Sequence, residues 1–110
     1  MQVDRLAIDF PGLNIIMSHG GLGFGDLGPT IAWRLPNVYI DYTTIHPRYL
    51  PAGLIGQLNS ILKRKTIFGS GYPGMDYEIV EEWKKVIKPE NQRLFFYENA
   101  AKLFGVEPAA

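Results

Sequence analysis

The stretch "LNIIMSHGG", residues 13–21, carries the pattern that decides the fold. Its first five residues are apolar except for Asn14, and such a nearly continuous run is typical of a strand that is covered on both faces. The run ends at Ser18 and His19, which are followed by two glycines. A buried strand that ends in polar residues and glycine indicates a parallel sheet with a loop at its carboxyl edge.

The rest of the chain repeats this arrangement. Two further strands are predicted, "VYIDYT" (38–43) and "TIFG" (66–69), because they are rich in β-branched and aromatic residues. Helical periodicity predicts helices over 3–10, 29–35, 53–63 and 77–86, and a last helix from 89 to 104 that ends at Gly105. Strands that alternate with helices imply parallel pairing. We therefore predict an α/β fold with about three βα units and a C-terminal helix, with His19, Asp41 and Gly71 at the strand ends.

Length and composition exclude several classes of function. The chain has 110 residues, enough for a single domain over 1–110, and 46% of them are hydrophobic. Eleven basic residues balance eleven acidic ones, so the basic face that nucleic acid binding requires is missing. The chain has no cysteine, no signal-peptide pattern and no apolar run that could span a membrane. We expect a cytoplasmic protein that binds neither nucleic acid nor membrane.

Four segments together resemble a known enzyme family. They are "FPGLNIIMSHGG", "LPNVYIDYTT", "TIFGSGYP" and "RLFFYENAAKLFGV". In this order they are similar to the C-terminal part of the amidohydrolase-related family, which includes aminocarboxymuconate-semialdehyde decarboxylase and the resorcylate decarboxylases. Members are (β/α)8 barrels that hold one divalent metal, usually zinc. The resemblance implies a partial (β/α)8 barrel whose strands match the sixth, seventh and eighth, and a metal-dependent hydrolase or carboxy-lyase acting on a small molecule.

The resemblance also implies roles for single residues. His19 falls on the family's histidine after the sixth strand, which acts near the metal-bound water or the substrate, so His19 is predicted to be catalytic. Gly71 stands where the family has an aspartate that binds the metal and handles a proton. His46 and Tyr72, in the loops after the second and third strands, are predicted to contact substrate. The family's other metal ligands, a histidine pair on the first strand and a histidine on the fifth, have no counterpart here. We therefore expect no metal and no activity in the isolated chain, although the family implies zinc.

The number of strands predicts a partner. A barrel closes with eight strands, whereas three strands leave two sheet edges unpaired, and unpaired edges favour association. We expect the chain to form a homo-oligomer, to join an N-terminal half-barrel chain, or to cover its edges with rearranged helices. The alternative to an enzyme is a non-catalytic, self-associating α/β remnant.

The glycine-rich segment Gly20–Gly28 allows a third function. It contains a GxGxxG pattern ahead of a strand that ends in Asp41, so a nucleotide- or anion-binding module is a further alternative. Asp41 itself is predicted to cap the turn that follows it, and Asp76 to cap the next helix.

Three further features have structural interpretations. Trp33 and Trp83 lie on helical faces and are predicted to pack in the core. The basic residues 63–65 are predicted to form a solvated helix end. A site built from both histidines with Asp41 and Asp76 is conceivable, but their spacing does not require one.

Overall fold

The chain folds into three βα units followed by a long C-terminal helix. The computed structural model describes residues 2–21, 27–69 and 77–107. Its helices and strands are α1 (Gln2–Asp9), β1 (Ile15–Met17), α2 (Leu27–Arg34), β2 (Val38–Asp41), α3 (Ala52–Leu58), β3 (Thr66–Ile67), α4 (Glu78–Val86), α5 (Pro89–Arg93) and α6 (Asn99–Phe104). A turn over Ser18–Gly21 follows β1, and a turn of 3-10 helix, Pro47–Tyr49, lies between β2 and α3. A π-helical turn, Leu94–Glu98, joins α5 to α6.

The three strands form one parallel sheet in the order β1-β2-β3. Ile16 pairs with Tyr39 across β1 and β2, and Asp41 pairs with Ile67 across β2 and β3. The predicted fold class is therefore confirmed. Parallel pairing brings the three carboxyl ends to one edge of the sheet, where the loops after β1 and β2 begin.

One face of the sheet carries most of the core. Every second residue from Val38 to Tyr42 is at most 1% exposed. Trp83 of α4 is fully buried and stacks on Tyr42 with 6.0 Å between ring centroids, which confirms the prediction for Trp83. The alternate residues Tyr39 and Asp41 are half-buried. The two faces therefore differ, because successive side chains of a strand point to opposite sides.

The prediction for Trp33 is wrong. Its side chain is 59% exposed, although it lies on a helix that faces the sheet. The buried residues of α2 include Ile31 and Ala32, which occupy the sheet-facing side of the helix. Trp33 follows them directly and points away, since neighbouring helix positions are about 100° apart.

Helix α3 is shorter than its apolar pattern predicts. It ends at Leu58 rather than Lys63 because Asn59 competes for backbone groups at the helix end. The Asn59 side chain donates to the carbonyl of Val86 at 2.8 Å and accepts from the N–H of Lys88 at 2.7 Å. Leu62 remains fully buried outside the helix, so the apolar stripe packs as expected although the backbone does not continue as a helix.

Because α3 ends early, the basic residues 63–65 lie outside the helix. Lys65 lies in the turn that enters β3, and its Nζ donates to the carbonyls of Leu35 at 2.9 Å and Pro36 at 3.0 Å. The same ammonium lies 4.5 Å from the ring centroid of Tyr39. Burial lowers the pKa of Lys65. The prediction of a solvated helix end is therefore wrong for this residue.

The C-terminal helix ends as predicted. Gly105 follows α6 in the left-handed conformation, with φ 69°, and its N–H bonds back to the last turn. No helix in the described ranges is both long and apolar enough to cross a bilayer.

Candidate functional site at the carboxyl edge of the sheet

The carboxyl edge of the sheet contains strained backbone after two strands. After β1 the chain turns through His19 (φ 58°, ψ 23°) and Gly20 (φ 61°, ψ 19°), which are both left-handed. After β2, Thr44 is left-handed as well, with φ 63°. This conformation is uncommon for residues other than glycine, and a β-branched residue is a genuine outlier there. Such outliers cluster at functional sites, so this edge is the candidate site.

Asp41, the last residue of β2, joins the two turns. Its Oδ1 accepts hydrogen bonds from the backbone N–H groups of Thr43 at 3.2 Å and His19 at 3.4 Å. Its Oδ2 accepts a hydrogen bond from Ser18 Oγ at 3.4 Å. The bond to Thr43 is the cap that the sequence predicts for Asp41. The bonds to Ser18 and His19 show how the left-handed turn after β1 is held against β2.

Tyr42 supports the same turn from the buried side. A Cβ added to Gly20 would lie 2.5 Å from the Tyr42 hydroxyl and from one of its ring carbons, so only glycine fits this position. The Tyr42 hydroxyl is buried and has no hydrogen-bond partner among the described residues. Burial raises the pKa of Tyr42 to about 12, because the ionised phenolate would lose its hydration.

His46 lies in a separate group on the loop between β2 and α3. Its Nδ1 contacts Glu82 of α4, and Arg48 Nη1 donates to the same carboxylate at 3.1 Å. These three residues line a cavity of about 230 Å³ together with Glu78, Glu81 and Lys85. Because Nδ1 contacts Glu82, Nε2 is the ring nitrogen of His46 that remains for another partner.

The two predicted histidines are therefore not brought together. Within residues 2–21, 27–69 and 77–107, no hydrogen bond, ion pair or ring contact joins His46 to His19. Gly71, Tyr72 and Asp76 fall outside the described residues, as does most of the glycine-rich segment. The predicted roles of these residues stay predictions.

The described residues do not fit a zinc site by themselves. No three His, Cys, Asp or Glu side chains within them are grouped so as to hold a metal ion. A catalytic zinc needs three protein ligands around an open position. Asp41 is engaged with backbone N–H groups and a hydroxyl, and the Nδ1 of His46 is engaged with Glu82. We assign no reaction step to a metal held by these residues.

Sequence reasoning missed three members of this edge. Ser18 directly follows β1 and Thr44 lies three residues after β2, so their polar side chains near His19 and Asp41 were an available signal. Tyr42 gave no such signal, because an aromatic residue in a strand is most simply a core residue. Its contact with Gly20 depends on the pairing of β1 with β2, which local sequence does not encode.

Comparison with known proteins matches this chain to one family model and to several solved structures. The model of the amidohydrolase family matches residues 1–106. A search of curated proteins gives no match. Among solved structures, an uncharacterized TIM-barrel protein from Bordetella bronchiseptica matches with 31% identity and a TM-score of 0.81, covering 94% of this chain and 38% of that one.

Two more distant structures share the fold. Amidohydrolase 2 from Bifidobacterium longum subsp. infantis matches at 16% identity with a TM-score of 0.65, over 96% of this chain and 45% of its own. An amidohydrolase from Burkholderia multivorans, solved with bound zinc, matches at 16% identity with a TM-score of 0.64, over 96% of this chain and 48% of its own. The chain thus spans less than half the length of each of these three structures.

Proposed function

Because this chain belongs to the amidohydrolase family, we propose that it forms the last three βα units of a metal-dependent hydrolase or carboxy-lyase barrel. One observation carries the proposal: the strained His19–Gly20 turn lies at the carboxyl end of β1 and is bonded to Asp41 at the carboxyl end of β2. Active sites of TIM barrels lie at this edge and are built from the loops that follow the strands. The strain therefore lies where a catalytic loop is expected.

In this proposal His19 polarises the substrate or moves a proton. Its backbone N–H is held by Asp41 while the residue as a whole is exposed, so the imidazole can reach a small molecule bound at this edge. An imidazole has one nitrogen that can donate a proton and one that can accept one, which suits acid–base catalysis. Asp41 is a positioning residue, because its oxygens bond the turn that carries His19.

The isolated chain is proposed to lack turnover. The described residues offer no three-ligand metal site, and Gly71 has no side-chain donor where the family resemblance places an aspartate. The remaining ligands must come from the other five βα units of a barrel. The resemblance to decarboxylases within the family supports a carboxylate-bearing substrate.

The second candidate is a non-catalytic, self-associating α/β unit. It is favoured by the same lack of a ligand cluster in the described part of the chain. The two candidates differ in whether activity appears once a complete barrel has been assembled, and complementation can test this difference.

The test is co-expression with the N-terminal part of the Bordetella bronchiseptica TIM-barrel protein, which supplies the strands that this chain lacks. The chain is used in four forms: unchanged, Gly71→Asp, Gly71→Asp with His19→Ala, and Gly71→Asp with Arg5→Ala. Arg5 is the control because it is exposed on α1, away from the candidate site. Zinc content is measured for each assembly, together with hydrolysis of aryl esters and amides and decarboxylation of aromatic carboxylates.

We expect the Gly71→Asp assembly to bind one zinc and to gain activity. His19→Ala should lower that activity by about a hundredfold or more while zinc is retained, and Arg5→Ala should change neither. Zinc binding without any activity would favour the non-catalytic candidate. If the activity of the assembly is unchanged by His19→Ala, the role given to this residue is excluded.

A further inference from the structure

We propose that the turn after β1, residues 18–21, opens and closes over the buried hydroxyl of Tyr42, and that Tyr42 is a positioning residue that favours the open state. In the closed state, which the structure shows, Gly20 covers the hydroxyl. The motion itself follows from packing and hydrogen bonds. Its importance for catalysis rests on the proposed function, because the turn carries His19.

The backbone of the turn makes the closed state costly. His19 has φ 58° and ψ 23°, and Gly20 has φ 61° and ψ 19°. In a left-handed residue with a side chain, Cβ comes close to the following carbonyl oxygen, so His19 adopts this conformation against its local preference. Gly20 reaches positive and negative φ with similar ease, which suits a hinge. The chain therefore loses a backbone cost when the turn opens and His19 leaves this conformation.

The hydroxyl of Tyr42 adds a second cost to the closed state. The tyrosine is 1% exposed, and its hydroxyl has no hydrogen-bond partner within the described part of the chain. Gly20 is buried, and a Cβ built on it would lie 2.5 Å from the hydroxyl oxygen. Nearly all buried polar groups in native proteins have a partner, so this exception needs an explanation. When Gly20 lifts, water reaches the hydroxyl and supplies the missing hydrogen bond.

Tyr42 itself is held in place, so the turn is the part that moves. The tyrosine ring stacks on the fully buried Trp83 with 6.0 Å between ring centroids. The indole N–H of Trp83 donates to the carbonyl of Ile45 at 3.0 Å. The N–H of Ile45 donates in turn to the carbonyl of Tyr42 at 3.0 Å. These contacts fix both the side chain and the backbone of Tyr42.

Only weak hydrogen bonds hold the turn against β2. Asp41 accepts from the N–H of His19 and from the hydroxyl of Ser18, both at 3.4 Å. Both distances exceed the usual upper limits, about 3.2 Å for N–H···O and about 3.0 Å for O–H···O bonds. Ser18 and His19 are exposed, so water can replace both bonds on opening. The bond from Thr43 to Asp41, at 3.2 Å, lies within the loop after β2 and survives.

The strand before the turn stays fixed. Met17 pairs with Ile40 across the sheet and is 7% exposed, so the motion begins at Ser18. In the proposed barrel, opening moves His19 away from Asp41 and clears the carboxyl edge for a substrate. Closing returns His19 to the position that Asp41 sets. Loops that close over enzyme sites commonly act in this way, by admitting substrate and then completing the site.

The test is hydrogen exchange of single amides in the purified 110-residue chain, measured by NMR where the rate follows the opening equilibrium. The His19 amide reports on the turn. The Ile40 amide, which donates to Lys65 at 3.0 Å within the sheet, reports on global unfolding. After correction for intrinsic rates, we expect His19 to exchange about a hundredfold or more faster than Ile40, because the turn opens without unfolding the sheet.

Tyr42→Phe should slow exchange at His19 about fivefold and at Ile40 by a similar factor. The closed state then buries no unpartnered hydroxyl, whereas the open and unfolded states lose only a hydrated one. Ser18→Ala weakens the closed state and should speed exchange at His19 about twofold or more. The matched control is Tyr77→Phe, which removes a hydroxyl from a residue that is 87% exposed and should change neither rate.

Three results would overturn the proposal. They are a His19 amide that exchanges as slowly as Ile40, a His19 rate that Tyr42→Phe does not lower, and a His19 rate that Ser18→Ala does not raise. Ser18→Ala and the unchanged chain decide whether the turn opens even if Tyr42→Phe fails to fold. None of these measurements uses catalytic activity, so failure here is distinguishable from failure of the proposed function in the co-expression test.

Discussion

Replacing Tyr42 by phenylalanine should stabilise this protein, although it removes a polar group from a buried site. The Tyr42 ring is 1% exposed and stacks on Trp83, and phenylalanine keeps this packing. The hydroxyl has no hydrogen-bond partner among the described residues. A buried polar group without a partner costs about 1–3 kcal/mol, so we expect Tyr42→Phe to raise the free energy of unfolding by about 1 kcal/mol at pH 7.

The same substitution should change the response to alkaline pH. The pKa of Tyr42 is raised from 10.0 to about 12 in the folded protein, so above pH 10 the unfolded chain loses this proton first. The stability contributed by the neutral phenol is therefore complete below pH 10 and is lost as the pH rises towards 12. The full loss for a two-unit shift is about 3 kcal/mol, of which about 1.4 kcal/mol is reached by pH 11, given that one pKa unit corresponds to about 1.4 kcal/mol. The phenylalanine variant lacks this loss.

Urea unfolding of both proteins at pH 7 and at several values between pH 9 and 11 measures this effect. The difference between the two proteins cancels the contribution of Lys65, whose lowered pKa acts in the opposite direction. Tyr77→Phe is the control, because Tyr77 is 87% exposed and loses a solvated hydroxyl. A Tyr42→Phe variant that is less stable by 1 kcal/mol or more at pH 7 would refute the reasoning, because the hydroxyl would then have a partner.

Three further substitutions test the turns at the carboxyl edge of the sheet and the contact of Asn99 with β3. Gly20→Ala places a methyl group against Tyr42 in a left-handed turn and should cost about 2–4 kcal/mol in thermal or urea unfolding; a cost below 1 kcal/mol would contradict the close contact. Asp41→Ala removes three acceptor bonds and should cost about 1–2 kcal/mol, with faster exchange of the His19 and Thr43 amides; unchanged exchange would exclude the proposed support of the turn. Asn99→Ala removes the hydrogen bonds to the carbonyls of Lys63 and Thr66 and should cost about 2 kcal/mol in urea unfolding, whereas Asn14→Ala, at an exposed position, should cost less than about 0.5 kcal/mol; an equal cost for both would contradict the role given to Asn99.

Much of the fold follows from local sequence. The run before Ser18 and the alternation in β2 predict parallel strands, and the structure pairs them in chain order. Gly105 ends the last helix as its position predicts. These features depend on periodicity and on the special backbone of glycine, which short windows of sequence encode.

The differences arise where tertiary contacts override local preference. Asn59 ends α3 early because its partners, Val86 and Lys88, lie at and just beyond the C-terminal end of α4, far along the chain. Trp33 is exposed because its neighbours on α2 take the sheet-facing positions. Neither the early end of α3 nor the exposure of Trp33 can be read from nearby sequence.

The candidate site was predictable only in part. His19 and Asp41 could be placed at one edge, since the carboxyl ends of parallel strands meet there. The left-handed turn, its bonds to Asp41 and the contact of Gly20 with Tyr42 depend on strand register. His46 was predicted beside a substrate, and its contact with Glu82 arises from the docking of α4 against the loop after β2.

The central claim is that this chain contributes His19 to an amidohydrolase site but does not hold the metal by itself. Native mass spectrometry of the purified chain, prepared with excess zinc, tests this claim most directly. The account predicts no stoichiometric zinc in any assembly of the chain. One tightly bound zinc per chain, lost on His19→Ala, would contradict it, because the chain would then contain a complete metal site of its own.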